Sequence, residues 1–313
     1  MPYFHVPVML GEVIDYLNLR PGKIYVDCTV GGAGHSRAIC NGIKPGGILI
    51  GVDQDDTAIK NAKKVIKKED FTLHLFHSNF ARLPEILEKI NISAVDGILL
   101  DLGTSLHQLK ASGRGFTFEK DEPLDMRMNT ESGVTAEELI NESSKADLED
   151  IFKNFGEERW YRRIAQRIVK SRKINRITSS GQLSKIVCSA VPQKAFGKRI
   201  HPATKIFMSL RIAVNKELER LEEFLGFVVD LLNPGGRLCA LSFHSLEDRI
   251  VKHTFKMLAK DCICPPKIPL CVCNNKRTVK VLTRKALCPM DEETRNNPRA
   301  RSVKLRVIEK LRG

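Results

Sequence analysis

The chain has 313 residues, of which 42% are apolar and 28% charged, a composition ordinary for a globular protein that can bury one large core or two modest ones. Its net charge of +14, from 51 basic against 37 acidic residues, favours a polyanion partner, most simply RNA or DNA, over a small neutral substrate. No run of about 18 apolar residues is present for a membrane span. The start, MPYFHVPVMLGEVIDYL, lacks the basic flank of a signal peptide, and the scattered Cys28, Cys40, Cys188, Cys239 and Cys288 fit free thiols in a reducing compartment, so a cytoplasmic protein is expected.

Short apolar runs rich in β-branched residues alternate with helical patterns through the first hundred residues. KIYVDC (23–28) reads as the first strand, closed by an acid and followed by the glycine loop TVGGAGHS. GGILIGVD (46–53) is the second strand, and DDTAIKNAKKVIKK after it is amphipathic. FTLHLFH (71–77) is the third strand, with ARLPEILEKI helical after it. VDGILLDLG (95–103) is the fourth, apolar on both faces as a central parallel strand must be. This rhythm predicts an open, doubly wound α/β sheet with ligands at the carboxyl ends of its strands.

The rhythm then stops. The next convincing strand, GGRLCALSF (235–243), comes more than 130 residues after Asp101, whereas a crossover needs a dozen or so. An inserted unit is therefore expected, with the sheet domain split into residues 1–112 and 215–313 around a helical domain at 113–214. TAEELINES, KADLEDIFKNF, EERWYRRIAQRIVKSR and TSSGQLSKIVCSAV carry apolar residues at helical spacing, and a long periodic run from His201 to Leu232 is closed by NPGG. VKLRVIEK (303–310) alternates like a late strand. The charge is uneven as well: Thr135–Asn215 holds 16 basic and 8 acidic residues, and Lys276–Arg306 holds 10 and 3.

The glycine loop lacks the lysine of a phosphate-binding loop, and Arg37 stands where a dinucleotide fingerprint needs a small residue. Asp53, at the end of the second strand, suits the hydroxyls of an adenosine ribose, which NAD and S-adenosylmethionine share. Acids at the ends of strands one and four, Asp27 and Asp101, suit a sulfonium and an ammonium group and would repel a pyrophosphate. S-adenosylmethionine is the favoured cofactor on these grounds, with NAD as the alternative. Asp27 as a turn acid, His35 as a helix cap and Phe80 as core rather than an adenine platform remain open readings.

The segment DLGTSLHQLKASGRGFTFEKDEPLDMRMN, with HVPVML, VDCTVGGAGHS, GVDQD, FGEERW, HPATKIF, SFHSLEDRIVK and NPRARS in the same order, resembles the bacterial ribosomal RNA small subunit methyltransferase H family, also called the MraW family. The likeness extends over essentially the whole chain. It implies a Rossmann-like class I S-adenosylmethionine-dependent methyltransferase sheet with an inserted all-helical domain, acting on the N4 of a cytidine in 16S rRNA, free or within the small ribosomal subunit. It implies cofactor contacts at Ala33, Gly34, His35, Asp53, Phe80, Asp101 and Gln108, with Asp101 also the candidate catalytic group. Where the family usually shows DLGVSSPQL this chain has DLGTSLHQL, with Leu106 in place of a serine and His107 in place of a proline. Two readings of other classes stand beside this one: a catalytically silent RNA-binding assembly factor, and a DNA cytosine-N4 methyltransferase, whose usual [SDN]-P-P-[YFW] tetrapeptide is absent here.

For the RNA, the segment Glu157–Arg176 offers 8 basic and 2 acidic residues around Trp160 and Tyr161. Arg162, Arg163 and Arg167 are the candidate phosphate contacts, and an aromatic there could stack on a base or simply be core. His201 in HPATKIFMSLR and His244 in SFHSLEDR are expected to face the substrate at the working edge of the sheet, His244 either as a proton acceptor or as a loop-holding histidine. Cys262, Cys264, Cys271 and Cys273 in CICPPKIPLCVC could bind zinc, but their C-x-C pairs depart from the usual C-x₂₋₄-C spacing, so unpaired or redox-sensitive thiols are the favoured expectation and no metal is assigned.

Overall fold

The computed structural model describes residues 7–67, 69–192, 201–265 and 270–312. His5 and Val6 of the HVPVML string, Lys68 at the end of the first amphipathic stretch and residues 266–269 of the cysteine segment lie outside them. The chain divides into two compact units, Met1–Gly103 with Leu218–Gly313, and Thr104–Glu217. No helix among the described residues is long and apolar enough to cross a membrane.

The first unit begins with α1 (Leu10–Leu17), β1 (Ile24–Asp27), α2 (Gly34–Gly42), β2 (Gly47–Asp53), α3 (Asp56–Val65), β3 (Phe71–His77), α4 (Leu83–Lys89) and β4 (Val95–Asp101). Because side chains alternate across a strand, β1, β2 and β4 each supply two cores. Val26, Ile50, Ile98 and Leu100 enter one core, while Tyr25, Leu49 and Leu99 enter the other. This double burial is why these strands read as continuous apolar runs.

The second unit is helical: α5 (Leu106–Lys110), α6 (Ala136–Glu142), α7 (Lys145–Asn154), α8 (Tyr161–Arg172), α9 (Ser180–Ala190) and α10 (Ala203–Asn215). Thr135 with Glu138, Ser144 with Asp147 and Ser179 with Gln182 form reciprocal capping boxes at the starts of α6, α7 and α9. Leu148, Phe152, Ile164, Ile168, Leu183 and Phe207 belong to one core. Much of the long GRGFTF…PLDMRMN segment is scaffolding for this unit. Asn215 accepts from the Met128 amide at 2.8 Å and donates to the Met126 carbonyl at 2.8 Å. Gly115 has φ of +71°, and a Cβ there would lie 2.4 Å from the Pro123 carbonyl oxygen, so only glycine fits.

The chain returns through α11 (Glu217–Phe227) to β5 (Leu232–Ser242), α12 (Ser245–Leu258), β6 (Val279–Val281), α13 (Asp291–Asn296) and β7 (Lys304–Lys310). The sheet order is β3-β2-β1-β4-β5-β7-β6. Strands β1 to β5 pair in parallel, whereas β7 runs antiparallel to β5 and β6 antiparallel to β7. Two expectations need correction. The periodic run 201–232 is two helices, broken at the left-handed Lys216 (φ 50°), and NPGG lies inside β5 rather than at a helix end. The segment 201–211 leads into α10, where Ile206, Phe207 and Leu210 are core of the helical unit.

Strand order reverses direction between β1 and β4, which makes the carboxyl ends of these strands the switch point where a doubly wound sheet leaves a crevice. The loops after β1, β2 and β4 all open at that end.

Candidate active site at the strand carboxyl ends

The loop after β1 is shaped by two left-handed residues, Gly31 (φ 47°) and Ala33 (φ 62°), with the Ala33 amide donating to the Val30 carbonyl at 2.7 Å. The turn ends on α2, whose first residue Gly34 approaches Pro7 so closely that a Cβ would meet the proline ring at 2.9 Å. Ala33 carries no side-chain cap, so the first amides of α2 keep donor capacity at a helix N-terminus, where negative charge is favoured.

Asp27 closes β1 and is fully buried. Ser36 Oγ donates to Oδ2 at 2.5 Å, and the Thr29 amide donates to Oδ1 at 3.1 Å. Burial lifts its pKa to about 6 against these two donors. Both oxygens are engaged inside the protein, so Asp27 is a turn acid that ties α2 to the end of β1. It acts on the rest of the site through its charge.

Asp53 closes β2 and is half-buried. The Gly31 amide donates to Oδ2 at 2.8 Å and the Asp55 amide to Oδ1 at 2.8 Å. One carboxylate thus pins the glycine loop to the start of α3, and each oxygen keeps a lone pair for a further donor. Desolvation raises its pKa to about 7, opposed by the two amides, and Asp55 and Asp27 add to the rise. Partial exposure and two amide donors favour the ionised form once a cation or hydroxyl donor arrives.

Asp101 closes β4 and is 9% exposed. Its amide donates to Thr29 Oγ1 at 2.8 Å, joining the ends of β4 and β1. Oδ1 is buried with no hydrogen-bond partner. Desolvation first, then the charge of Asp27, lift its pKa to about 7 in spite of an amide bond from Gly103. Oδ2 faces His35 Nδ1 at 3.5 Å. The other ring nitrogen, Nε2, is 3.1 Å from the Val8 carbonyl, which can only accept, so Nε2 carries a proton. In a neutral ring Nδ1 then carries no proton, and the pair is favourable when one further proton sits between Asp101 and His35.

This arrangement has a consequence for stability. The folded-state pKa of Asp101 is raised above its unfolded value of 3.8, so its ionisation opposes folding: the penalty is absent below about pH 4 and grows as pH rises to about 7. Asp101→Asn removes that penalty. The ligand-free variant should exceed wild type at pH 8 by on the order of 2 kcal/mol and match it near pH 4, as read by urea denaturation. Equal stability at pH 8 would show that the carboxylate is not held at a cost.

A profile of the MraW methylase family matches residues 2–311. The chain belongs to the MraW methylase family. It is 51% identical over 312 residues to the ribosomal RNA small subunit methyltransferase H of Desulfosudis oleivorans, covering 99% of this chain and all of that one. The protein of the same name from Desulforapulum autotrophicum is 50% identical, with 98% and 99% covered, and that from Clostridioides difficile is 44% identical, with 99% and 100% covered.

Of the residues that the MraW resemblance marks, Ala33, Gly34, His35, Asp53 and Asp101 gather around the loops after β1, β2 and β4. Phe80 follows β3 and is 7% exposed in the sheet core, edge-on to Phe224 with ring centroids 5.3 Å apart. Gln108 lies in the helical unit, where its Oε1 accepts from the Ser105 amide at 3.0 Å and completes the capping box of α5. His244 is the N-cap of α12: its Nδ1 accepts from the Glu247 amide at 3.4 Å, and Glu247 Oε2 returns to the Phe243 amide at 2.8 Å. The H-x-x-E spacing is the sequence signal for this cap. Asp248 then binds Arg306 at 2.7 Å and Lys304 at 2.9 Å, which links the SFHSLEDR and VKLR strings through an ion network centred on the buried Asp248.

In the helical unit, Ile164, Ala165 and Ile168 bury one face of α8, leaving Arg162, Arg163 and Arg167 exposed. Trp160 packs against the core at its inner side and carries Arg163 and Arg159 over its ring at 5.6 and 5.4 Å. Arg162 sits over Tyr161, and Arg167 Nε donates to Ser189 Oγ at 3.1 Å. His201 stacks on Phe118 with centroids 4.5 Å apart and accepts from the Ala203 amide. Thr29, Ser36 and Ser242 escaped the sequence reading. The hydroxyl of Ser242, at the end of β5, is buried without a partner, and nothing in a lone serine advertises that. Cys262, Cys264, Cys271 and Cys273 lie apart from these groups, between α12 and β6.

Proposed function

We propose that the chain methylates the exocyclic N4 of a cytidine in 16S rRNA, using S-adenosylmethionine, in the cytoplasm and on RNA that is free or part of the small subunit. S-adenosylmethionine-dependent methylation of ribosomal RNA follows from membership of the family across the full chain. The observation that best supports the finer reading is the buried, unpartnered Oδ1 of Asp101 at the switch point of the sheet. An orphaned buried oxygen costs free energy unless a ligand completes it.

The donor set fits the cofactor. Asp53 would accept the ribose hydroxyls with its free lone pairs, and the N-terminus of α2, where Ala33 supplies no side-chain cap, suits a carboxylate. Asp101 would meet an ammonium or the amino hydrogens of the base. When bound, S-adenosylmethionine supplies an electrophilic methyl on its sulfonium sulfur and leaves as S-adenosylhomocysteine. The cytosine N4 lone pair is delocalised into the ring, so the work of the protein is to hold N4 in line and to accept from its amino hydrogens as the nitrogen becomes tetrahedral. No strong base is needed beforehand, because the N4 proton becomes acidic on transfer and can pass to Asp101 or water. For Phe80 and Gln108 a cofactor role rests on the family resemblance alone. For His244 the cap geometry supports positioning of the loop after β5.

The exposed arginines of α8 are proposed to hold RNA phosphates. Replacing Arg162, Arg163 and Arg167 together with Ala should weaken RNA binding at all sequences. It should also flatten the log–log salt dependence by about two units, at roughly 0.7 per single-stranded phosphate contact. Filter binding across a salt series reads both, and an unchanged slope would remove α8 from the interface.

The test of function is methyl transfer to small subunits from a strain lacking this enzyme, followed by mass spectrometry of digested RNA. N4-methylcytidine that requires the added chain is expected. A silent assembly factor would leave no methyl group, and a DNA enzyme would label DNA instead.

A further inference from the structure

We infer that Cys262, Cys264, Cys271 and Cys273 form a closed four-thiolate site for a structural zinc ion, on the excursion that joins α12 to β6. The sulfur positions carry the inference. All four Sγ atoms lie within 4.8 Å of one another. Cys271 and Cys273 are 3.5 Å apart, and Cys273 and Cys262 are 3.8 Å apart. A tetrahedron with Zn–S bonds of about 2.3 Å has edges of about 3.8 Å. Cys273 thus neighbours both a near and a distant cysteine, so the sulfurs gather as one cluster rather than as two pairs poised for disulfides.

Backbone amides are turned toward the sulfurs in the way that stabilises bound thiolates. The Ile263 amide donates to Cys273 Sγ at 3.4 Å, and the Cys264 amide to Cys262 Sγ at 3.4 Å. The C-x-C spacing that counted against a metal in the sequence is accommodated because the two arms face each other across the excursion. Their intervening residues, Ile263 and Val272, lie outward at 47% and 72% exposure.

The excursion also needs a staple. Among its described residues the large apolar side chains are exposed, Leu270 at 77%, so their burial cannot hold it. At its base Thr278 donates to the Leu258 carbonyl at 3.0 Å, and Asn275 Nδ2 to the Lys260 carbonyl at 2.6 Å. Asp261 Oδ1 also accepts from the Arg277 amide at 3.5 Å and lies 3.6 Å from its guanidinium, an exposed pair, and beyond these contacts at the base the four thiols bring the arms together. Four thiolates around a divalent ion leave net negative charge, which Lys260, Lys276 and Arg277 flank in the sequence. With four protein ligands there is no open coordination position, so the ion is structural rather than catalytic. The site also lies beyond the carboxyl end of α12, whose 14 residues separate it from His244.

The test uses the full chain, expressed with zinc and purified under reducing conditions without chelator. Elemental analysis should find about one zinc per chain, and Cys271→Ser/Cys273→Ser should carry none above buffer. Cobalt(II) exchanged into the wild-type chain should give the thiolate charge-transfer and tetrahedral ligand-field bands of a four-sulfur site, a readout that needs no variant to fold. A wild-type chain that takes up neither zinc nor cobalt while its thiols are reduced, or a double variant that keeps full zinc, overturns the proposal. Methyl transfer enters neither measurement, so this inference and the proposed activity fail independently.

Discussion

Asp101→Ala is expected to lower methyl transfer to small subunits by about a thousandfold, the scale at which loss of one preorganised polar group acts on a charge-developing step. Three features of the folded chain converge on this residue. It ends the strand at the switch point, its amide bond to Thr29 fixes it against β1, and its Oδ1 is buried with nothing to accept from. An oxygen kept dry and unpaired is worth more to an incoming donor than one already hydrated. Asp101→Asn keeps the shape and loses the charge, so it should fail nearly as badly while gaining stability at pH 8. Near-normal turnover by either variant, measured with labelled methyl donor, removes Asp101 from both the cofactor and the base.

Asp53→Ala should raise the KM for S-adenosylmethionine by about a hundredfold. The carboxylate has two parts: in the proposed site it accepts from the ribose hydroxyls, and it holds the Gly31 and Asp55 amides at 2.8 Å each. Hydrogen bonds to a charged group contribute about 1.5–3 kcal/mol, and the alanine variant loses the ligand's share and frees the loop that shapes the crevice. Turnover at saturating cofactor should fall far less than in Asp101→Ala, because the role proposed for Asp53 is to hold the ribose and not to meet the reacting atoms. A variant whose KM is unchanged would mean that the adenosine end binds elsewhere.

The strands were legible because a buried parallel strand is a continuous apolar run that ends where the chain reaches polar surroundings. FTLHLFH is β3 residue for residue, and the acids that close KIYVD, GILIGVD and VDGILLD mark the carboxyl ends of β1, β2 and β4. The insertion was legible as a gap too long for a crossover. The break at Lys216 was not, since Lys216 takes the left-handed conformation with no glycine to announce it. Strand β6 has three residues, too few for a period of two to show.

Within the site, sequence placed three acids at strand ends but could not rank them. Asp27 and Asp101 look alike in one dimension. Ser36, nine positions along the chain, saturates the first, while Oδ1 of the second is left alone, and that difference exists only once α2 has docked. His244 shows the opposite case: the H-x-x-E cap could have been read from the sequence, and it places the ring in the loop. The convergence of the four cysteine sulfurs could not be read from their spacing, because it depends on how the two arms of the excursion meet.

Hydrogen-exchange mass spectrometry with and without S-adenosylhomocysteine tests most directly where the methyl donor lies. Protection should appear in three separated segments, the loop 28–36, the turn 53–57 and the residues that follow Asp101, and Asp53→Ala should erase it. Protection confined to other parts of the chain, or unchanged exchange in all three at saturating ligand, would contradict a cofactor bound across the ends of β1, β2 and β4.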